Sequence, residues 1–226
     1  MAAFCQIPKY IDDKICACSK NVFSLYLVTE MTGKLEEVYE RMAPVYYWVF
    51  GLSLEGARKR AIRLANIQKG EKILEVGVGT GLTFKYMPNT EFDFTGIDWS
   101  EKMVVLSKKR ADSMNRKYTL LQMDATQLQF PDESFDLIIS AHFLSATSTP
   151  VHALTEMRRV LKKNGRILLV NNFQRTETMS FFEPIAKKMG FSLTLNLNEL
   201  CLKTGLRVHK QKRVSMMPID AALLVK

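Results

Sequence analysis

The chain has 226 residues, enough for one packed domain with a modest extension and too few for two comfortable ones. Its apolar share of 47% and charged share of 24% are those of an ordinary soluble protein, with no repeat or low-complexity tract. The formal charge of +9 lies wholly in residues 51–226, in clusters such as Arg58-Lys59-Arg60, Lys108-Lys109-Arg110, Arg158-Arg159 and Arg207 through Arg213. Such clusters serve either as solvated helix faces or as a footprint for an anionic partner. Four cysteines, with Cys16 and Cys18 too close for an easy disulfide and no second pair at zinc spacing, predict a reduced, intracellular protein with no metal site. The early charges Lys9, Asp12, Asp13 and Lys14 argue against a signal peptide, and the stretch Val22–Val28 is far below the ~20 residues needed to span a bilayer. Peripheral membrane contact stays open.

Residues 1–33 read as an irregular extension ending at Gly33. In Lys34–Phe50 the residues Leu35, Val38, Met42, Val45 and Val49 recur at three and four, which predicts a helix broken at Pro44. Ser53 is placed to cap a second helix through about Asn66, with Ala57, Ala61, Ile62 and Ala65 inward. Residues 34–66 are thus expected to be capping helices of a domain spanning 34–226. Strand and helix then alternate. Lys72–Val76 is a short apolar strand followed by a glycine loop and a helix start. Phe92–Ile97 is the next strand, with Ser100 capping a helix to about Met114. Tyr118–Met123 and Phe135–Ser140 follow, the second an unbroken apolar run as expected when both faces are covered. A helix over Pro150–Lys163 is expected to stop at Asn164-Gly165, before a strand at Arg166–Asn171. Helices near Thr178–Met189 and Leu197–Lys203 precede two last strands, Leu206–Val214 and Ala221–Val225. This order predicts an α/β, doubly wound, mostly parallel seven-stranded sheet with an antiparallel C-terminal edge.

The chemistry concentrates at strand ends. Gly77-Val78-Gly79-Thr80-Gly81 follows the first strand of the alternation, where glycines let the chain turn tightly and a ligand approach the backbone. A dinucleotide loop would need a glycine at 82, where Leu82 stands. The G-x-G-x-G spacing behind Glu75 suits instead a nucleoside carrying an amino-acid tail. Asp98, at the end of the second strand, is placed to accept both ribose hydroxyls. Trp99 and Met103 offer a flat ring and a soft thioether to an adenine face. Asp124 and Ala125 end the third strand beside the adenine amino group, and Ser140 ends the fourth.

Taken together, Glu75-x-Gly-x-Gly-x-Gly, Asp98 with Met103, Asp124-Ala125, Pro131 through Asp136, and Glu156 through Lys162 resemble the class I methyltransferases over residues 36–175. More narrowly, Tyr39 through Tyr46, Gly56 through Ala61, Leu74 through Leu82 and Asn171-Asn172-Phe173 resemble the bacterial phospholipid N-methyltransferases, which convert phosphatidylethanolamine to phosphatidylcholine. Asn172 and Trp99 depart from that narrower pattern, which has His and an aliphatic residue there. The resemblance implies a Rossmann-like fold, S-adenosylmethionine as methyl donor with S-adenosylhomocysteine as product, and a cytoplasmic enzyme held peripherally on the inner face of the membrane. It implies no metal and no nucleic acid.

Methyl transfer from a sulfonium is a direct displacement, so such an enzyme aligns nucleophile, carbon and sulfur and excludes water. A primary amine must also lose a proton, and His142 past the fourth strand is placed to take it. Tyr39 and Tyr46 offer π faces to the sulfonium and to a methylated ammonium. Arg58 and Arg60 are candidates for a lipid phosphate. The crowded Tyr46-Tyr47-Trp48-Val49-Phe50 is the candidate interfacial segment. The alternatives are C-methylation of a prenylated quinone, another small-molecule methyl transfer, or a non-catalytic cofactor-binding module. A nucleic-acid methyltransferase lacks its expected motif, since Ser140-Ala141-His142-Phe143 stands in the place of Asn/Asp-Pro-Pro-aromatic.

Overall fold

The structure is a computed structural model that describes residues 52–173, 195–215 and 219–226, with the side chains of 52–54 left aside. All of these fall within one compact unit, Phe50–Lys226. The expected helices at 34–50 and 178–189 lie outside the described residues.

Helix α1 (Leu52–Ala65) buries Ala57, Ala61 and Ala65, small residues that let it lie close on the sheet. It begins at Leu52, so Ser53 sits inside its first turn rather than capping it. Strand β1 (Lys72–Val76) leads into the glycine loop, and the chain returns in β2 (Asp93–Asp98). Between them the expected helix is only a single 3-10 turn at Phe84–Tyr86. Pro88 explains this, because Met87 before it is driven to an extended ψ of 136°, leaving no room for a longer helix. Helix α2 (Glu101–Ser113) is capped as expected, the Ser100 hydroxyl accepting from the Met103 amide at 3.4 Å. Strands β3 (Thr119–Gln122) and β4 (Phe135–Ala141) follow.

Helix α3 (Pro150–Val160) ends earlier than the Asn164-Gly165 signal predicts, and β5 (Leu161–Asn171) begins at once. Leu161 is fully buried and pairs with Phe135, so burial in the sheet wins over another helical turn. The register then shifts, and the Asn164-Gly165 pair lies in this irregular stretch. Gly165 permits it, because a Cβ there would stand 2.9 Å from the Asp136 carbonyl oxygen. Helix α4 (Leu197–Thr204), β6 (Arg207–Arg213) and β7 (Asp220–Val225) complete the unit.

The sheet order is β3-β2-β1-β4-β5-β7-β6. Strands β1 to β5 are parallel to one another, while β7 runs antiparallel to both β5 and β6. The C-terminal antiparallel edge is therefore the β6–β7 pair, with β7 its inner member and β6, exposed at all seven residues, the outer one. Successive strand residues bury into opposite layers. Leu137 and Ile139 pack with α1 and α2, whereas Ile138 packs with α3 and α4. That alternation explains why β4 reads as an unbroken apolar run.

One arginine ties α1 to the sheet. Arg166 on β5 donates to the carbonyls of Ala65 at 2.7 Å and Asn66 at 3.0 Å, and forks onto both Glu71 oxygens at 2.7 and 3.0 Å. It thus supplies partners for the carbonyls left over at the end of α1, where Asn66 turns left-handed at φ 50°. Replacing Arg166 by Ala is expected to lower the unfolding free energy by about 2–3 kcal/mol in a urea titration. Arg166→Lys should recover only part of this, since an ammonium cannot fork.

Candidate active site at the switch point of the sheet

The chain order reverses between β1 and β4, and in open α/β sheets ligands bind at such a point, outside the C-terminal ends of the parallel strands. The glycine loop lies directly on it. Gly77 and Val78 both donate to the Ile97 carbonyl at 2.9 Å, and Gly79 donates to Asp98 Oδ2 at 2.9 Å. Ser100 donates to Asp98 Oδ1 at 3.0 Å. One carboxylate thus holds the loop to the end of β2 and begins α2, with lone pairs left over for a ligand's hydroxyls.

The three loop glycines have different reasons. Gly77 has φ 74°, and a Cβ on it would stand 2.6 Å from the Phe143 Cβ; Gly81 has φ 75°, and its Cβ would enter the Phe84 ring at 2.3 Å. These two are required by packing. Gly79, at φ 54°, has nothing within 4 Å of its would-be Cβ. That free space beside Asp98 and Thr80 is the fit expected for a nucleoside with an amino-acid tail.

The remaining cofactor candidates gather around the same edge, with differences. Trp99 is 72% exposed next to Asp98, leaving its ring open to a flat ligand. Met103 is half-buried in the first turn of α2. Asp124 spends Oδ1 on the Thr126 amide and hydroxyl, both at 2.8 Å, while among the described residues no hydrogen bond engages its other oxygen. Ala125 packs its side chain into the core, so only its main chain can serve a ligand. Ser140 is fully buried with an unpartnered hydroxyl. Tyr39 and Tyr46 lie outside the described residues.

The two arginines part company. Two helical positions put Arg58 and Arg60 on different sides of α1. Arg58 interacts electrostatically with Glu75, Tyr86 and His142, and its burial lowers its basicity. Arg60 donates instead to the Val214 carbonyl at 2.5 Å, away from these groups, so pairing of the two on one phosphate is not supported. His142, at φ 63°, has a buried and unpartnered Nε2. Burial, with the nearby Arg58 charge, pushes its pKa down to about 4, so the ring is neutral at pH 7.

Glu75 is the other perturbed group. It is 1% exposed, and burial pushes its pKa up to about 8 against the opposing pull of the Thr83 hydroxyl, which donates to it at 2.6 Å, and of Arg58. Thr83 has no counterpart among the residues legible from the motif. The raised carboxyl contributes stability at low pH that is lost as pH rises from the unfolded value towards about 8. Between about pH 7.5 and 8, above the range in which the unfolded-state His142 titrates, the cofactor-free protein should lose up to about 1 kcal/mol per pH unit. Glu75→Gln should flatten that slope and stabilise the protein at pH 8, as read by denaturant unfolding at each pH.

The glycines give a second contrast. Gly77→Ala should lower the thermal midpoint markedly through its collision with Phe143. Gly79→Ala should cost only about 1 kcal/mol, for a side chain at positive φ, yet weaken S-adenosylmethionine binding tenfold or more by calorimetry. Unchanged affinity in Gly79→Ala would remove the loop from the ligand site.

Comparison with known proteins agrees with this geometry. Residues 74–169 match the family described as a methyltransferase domain. The chain is 37% identical over 139 residues to phosphatidylethanolamine N-methyltransferase of Cereibacter sphaeroides, covering 61% of this chain and 67% of that protein. It is 34% identical over 122 residues to demethylmenaquinone methyltransferase of Staphylococcus aureus strain MRSA252, covering 53% of this chain but only half of that protein. Among solved structures, a SAM-dependent methyltransferase of Aquifex aeolicus superposes with a TM-score of 0.62 at 17% identity, over 86% of this chain and 100% of that one, a likeness of fold. Among the described residues no group of three or more His, Cys, Asp or Glu could hold a metal ion. By its fold, its glycine loop and its relatives, the chain belongs to the class I S-adenosylmethionine-dependent methyltransferases.

Proposed function

We propose that this methyltransferase acts on the amine of a phospholipid headgroup, carrying phosphatidylethanolamine towards phosphatidylcholine at the cytoplasmic face of a membrane. The observation that carries the reading is the likeness to the Cereibacter enzyme, which is both stronger and longer than that to the quinone enzymes. Arg58 supports it, as a guanidinium partly withdrawn from water beside Glu75 and His142, where a headgroup phosphate would be a fitting anion. The net charge of +9 suits an anionic surface. In this reading residues 34–50, with Trp48 and its aromatic neighbours, form the interfacial segment. Among the described residues no helix is long and apolar enough to cross a membrane.

Bound at the glycine loop, S-adenosylmethionine supplies a methyl group on a cationic sulfonium. The chain's own part is alignment and dryness. Asp98 and the loop amides orient the nucleoside end. Glu75 lies behind the loop as a carboxyl ready to ionise beside a positive charge. His142 presents a neutral acceptor nitrogen, which can receive a hydrogen bond from an attacking amine without adding a like charge. Its depressed basicity makes it a better orienter of that amine than a full proton acceptor.

The likeness to demethylmenaquinone methyltransferases favours a second reading, C-methylation of a prenylated quinone. Purified protein offered labelled S-adenosylmethionine with phosphatidylethanolamine vesicles should place label in the lipid. Label entering demethylmenaquinone and no lipid would overturn the choice of acceptor.

A further inference from the structure

The same edge of the sheet holds buried polar side chains with no hydrogen-bond partner among the described residues, on the far side of the switch point from Asp98. Ser140, the penultimate residue of β4, is fully buried and its hydroxyl has no hydrogen-bond partner. Asn171, the last residue of β5, is 1% exposed, and neither its amide oxygen nor its amide nitrogen is partnered. His142 Nε2 is buried and unpartnered as well.

The register brings these groups together. Ser140 pairs with Leu169, so Asn171, two residues on, is its diagonal neighbour. Both point to the layer of α3 and α4, because Ile138 and Leu169, each two residues away on the same strand, pack there. The His142 amide donates to the Val170 carbonyl at 2.7 Å, which fixes the third group at the same strand end. A buried polar group left without a partner is costly, since it has given up water and gained nothing in exchange. Three on adjacent strand ends are more than a folded core leaves by accident. A partner is therefore expected from outside the chain.

That partner is not the nucleoside end of the cofactor. Asp98 is on β2, with Ser140 on β4 and Asn171 on β5, two and three strand spacings away, roughly 10 and 14 Å. We propose that Ser140, His142 and Asn171 form the seat that hydrogen-bonds the methyl acceptor, with Ser140 belonging to this seat rather than to the cofactor set. Asn171 both donates and accepts, so the acceptor carries a hydrogen-bonding group, such as an amine, hydroxyl or ester oxygen, close to the atom that is methylated. The proposal rests on methyl transfer at this site and not on which acceptor is used.

The test uses Asn171→Leu and the smaller change Ser140→Ala, each read by thermal midpoint, by calorimetric affinity for S-adenosylmethionine, and by acceptor KM with phosphatidylethanolamine vesicles and with demethylmenaquinone. Removing groups that lack partners should leave the midpoint of the free protein unchanged or raised. Cofactor affinity should stay within twofold while the acceptor KM rises tenfold or more. A fallen midpoint with unchanged KM would make the residues an internal polar network, and a tenfold loss of cofactor affinity would return them to the cofactor; either result overturns the seat. If the unaltered protein methylates neither acceptor, the lipid and quinone readings both fall. The seat is then still decided by the other two measurements: an unchanged midpoint with unchanged cofactor affinity supports it, and a loss in either overturns it.

Discussion

The carboxylate of Asp98 is the hinge-pin of the site. By accepting from Gly79 on one oxygen and Ser100 on the other, it joins the loop after β1, the end of β2 and the first turn of α2. Without that acceptor the Gly79 amide and the Ser100 amide at the start of α2 would both lose their partner. The same oxygens retain capacity for a ligand, so the group that builds the loop also reads what enters it. Gly77 and Gly81 then let Phe143 and Phe84 close on the loop from either side, which fixes its shape before any ligand arrives.

Around this pin the site divides by strand. In the proposed reading the nucleoside end belongs to β1, β2 and β3, through the glycines, Asp98 and Asp124. The proposed acceptor end belongs to β4 and β5, through Ser140, His142 and Asn171. Glu75 and Arg58 lie between them, one an acid held back from ionising by burial and the other a base held back in the same way. A cationic methyl donor is well matched to such a pair, since each charge that enters changes the cost of the charges already there.

The fold was readable because its signals are periodic or local. The strand-helix alternation, the Ser100 cap and the G-x-G-x-G spacing each depend on a few neighbouring residues, and each stands in the structure. Of the misread boundaries, one was decided at a distance and one by a neighbouring proline. Leu161 left the helix because Phe135, far away in sequence, offered it a buried ladder position. The helix after the glycine loop shrank to one turn because Pro88 closed the space behind it. At the site, Asp98 announced itself by following an apolar strand. Thr83 did not, because its partner Glu75 is met only after the chain has turned back. Arg58 and Arg60 looked alike in sequence, and only the rotation of α1 told them apart. Asn171 read as a strand-end residue of unknown use until its amide proved to be buried without a partner.

Strand β7 lies between β5 and β6, yet it is the last of the seven to be made. During synthesis the first four strands and the glycine loop can assemble from neighbouring segments, while β5 waits with one edge bare. That edge carries Ile167 through Asn171, an apolar row whose partner is Asp220 through Leu224, about fifty residues downstream. A nascent chain therefore passes through a stage in which the donor half is complete and the acceptor half exposes an open sheet edge, the form of surface that chaperones cover and that aggregates extend. Closure by β7 is consequently the step that both finishes the acceptor end of the crevice and removes the hazard.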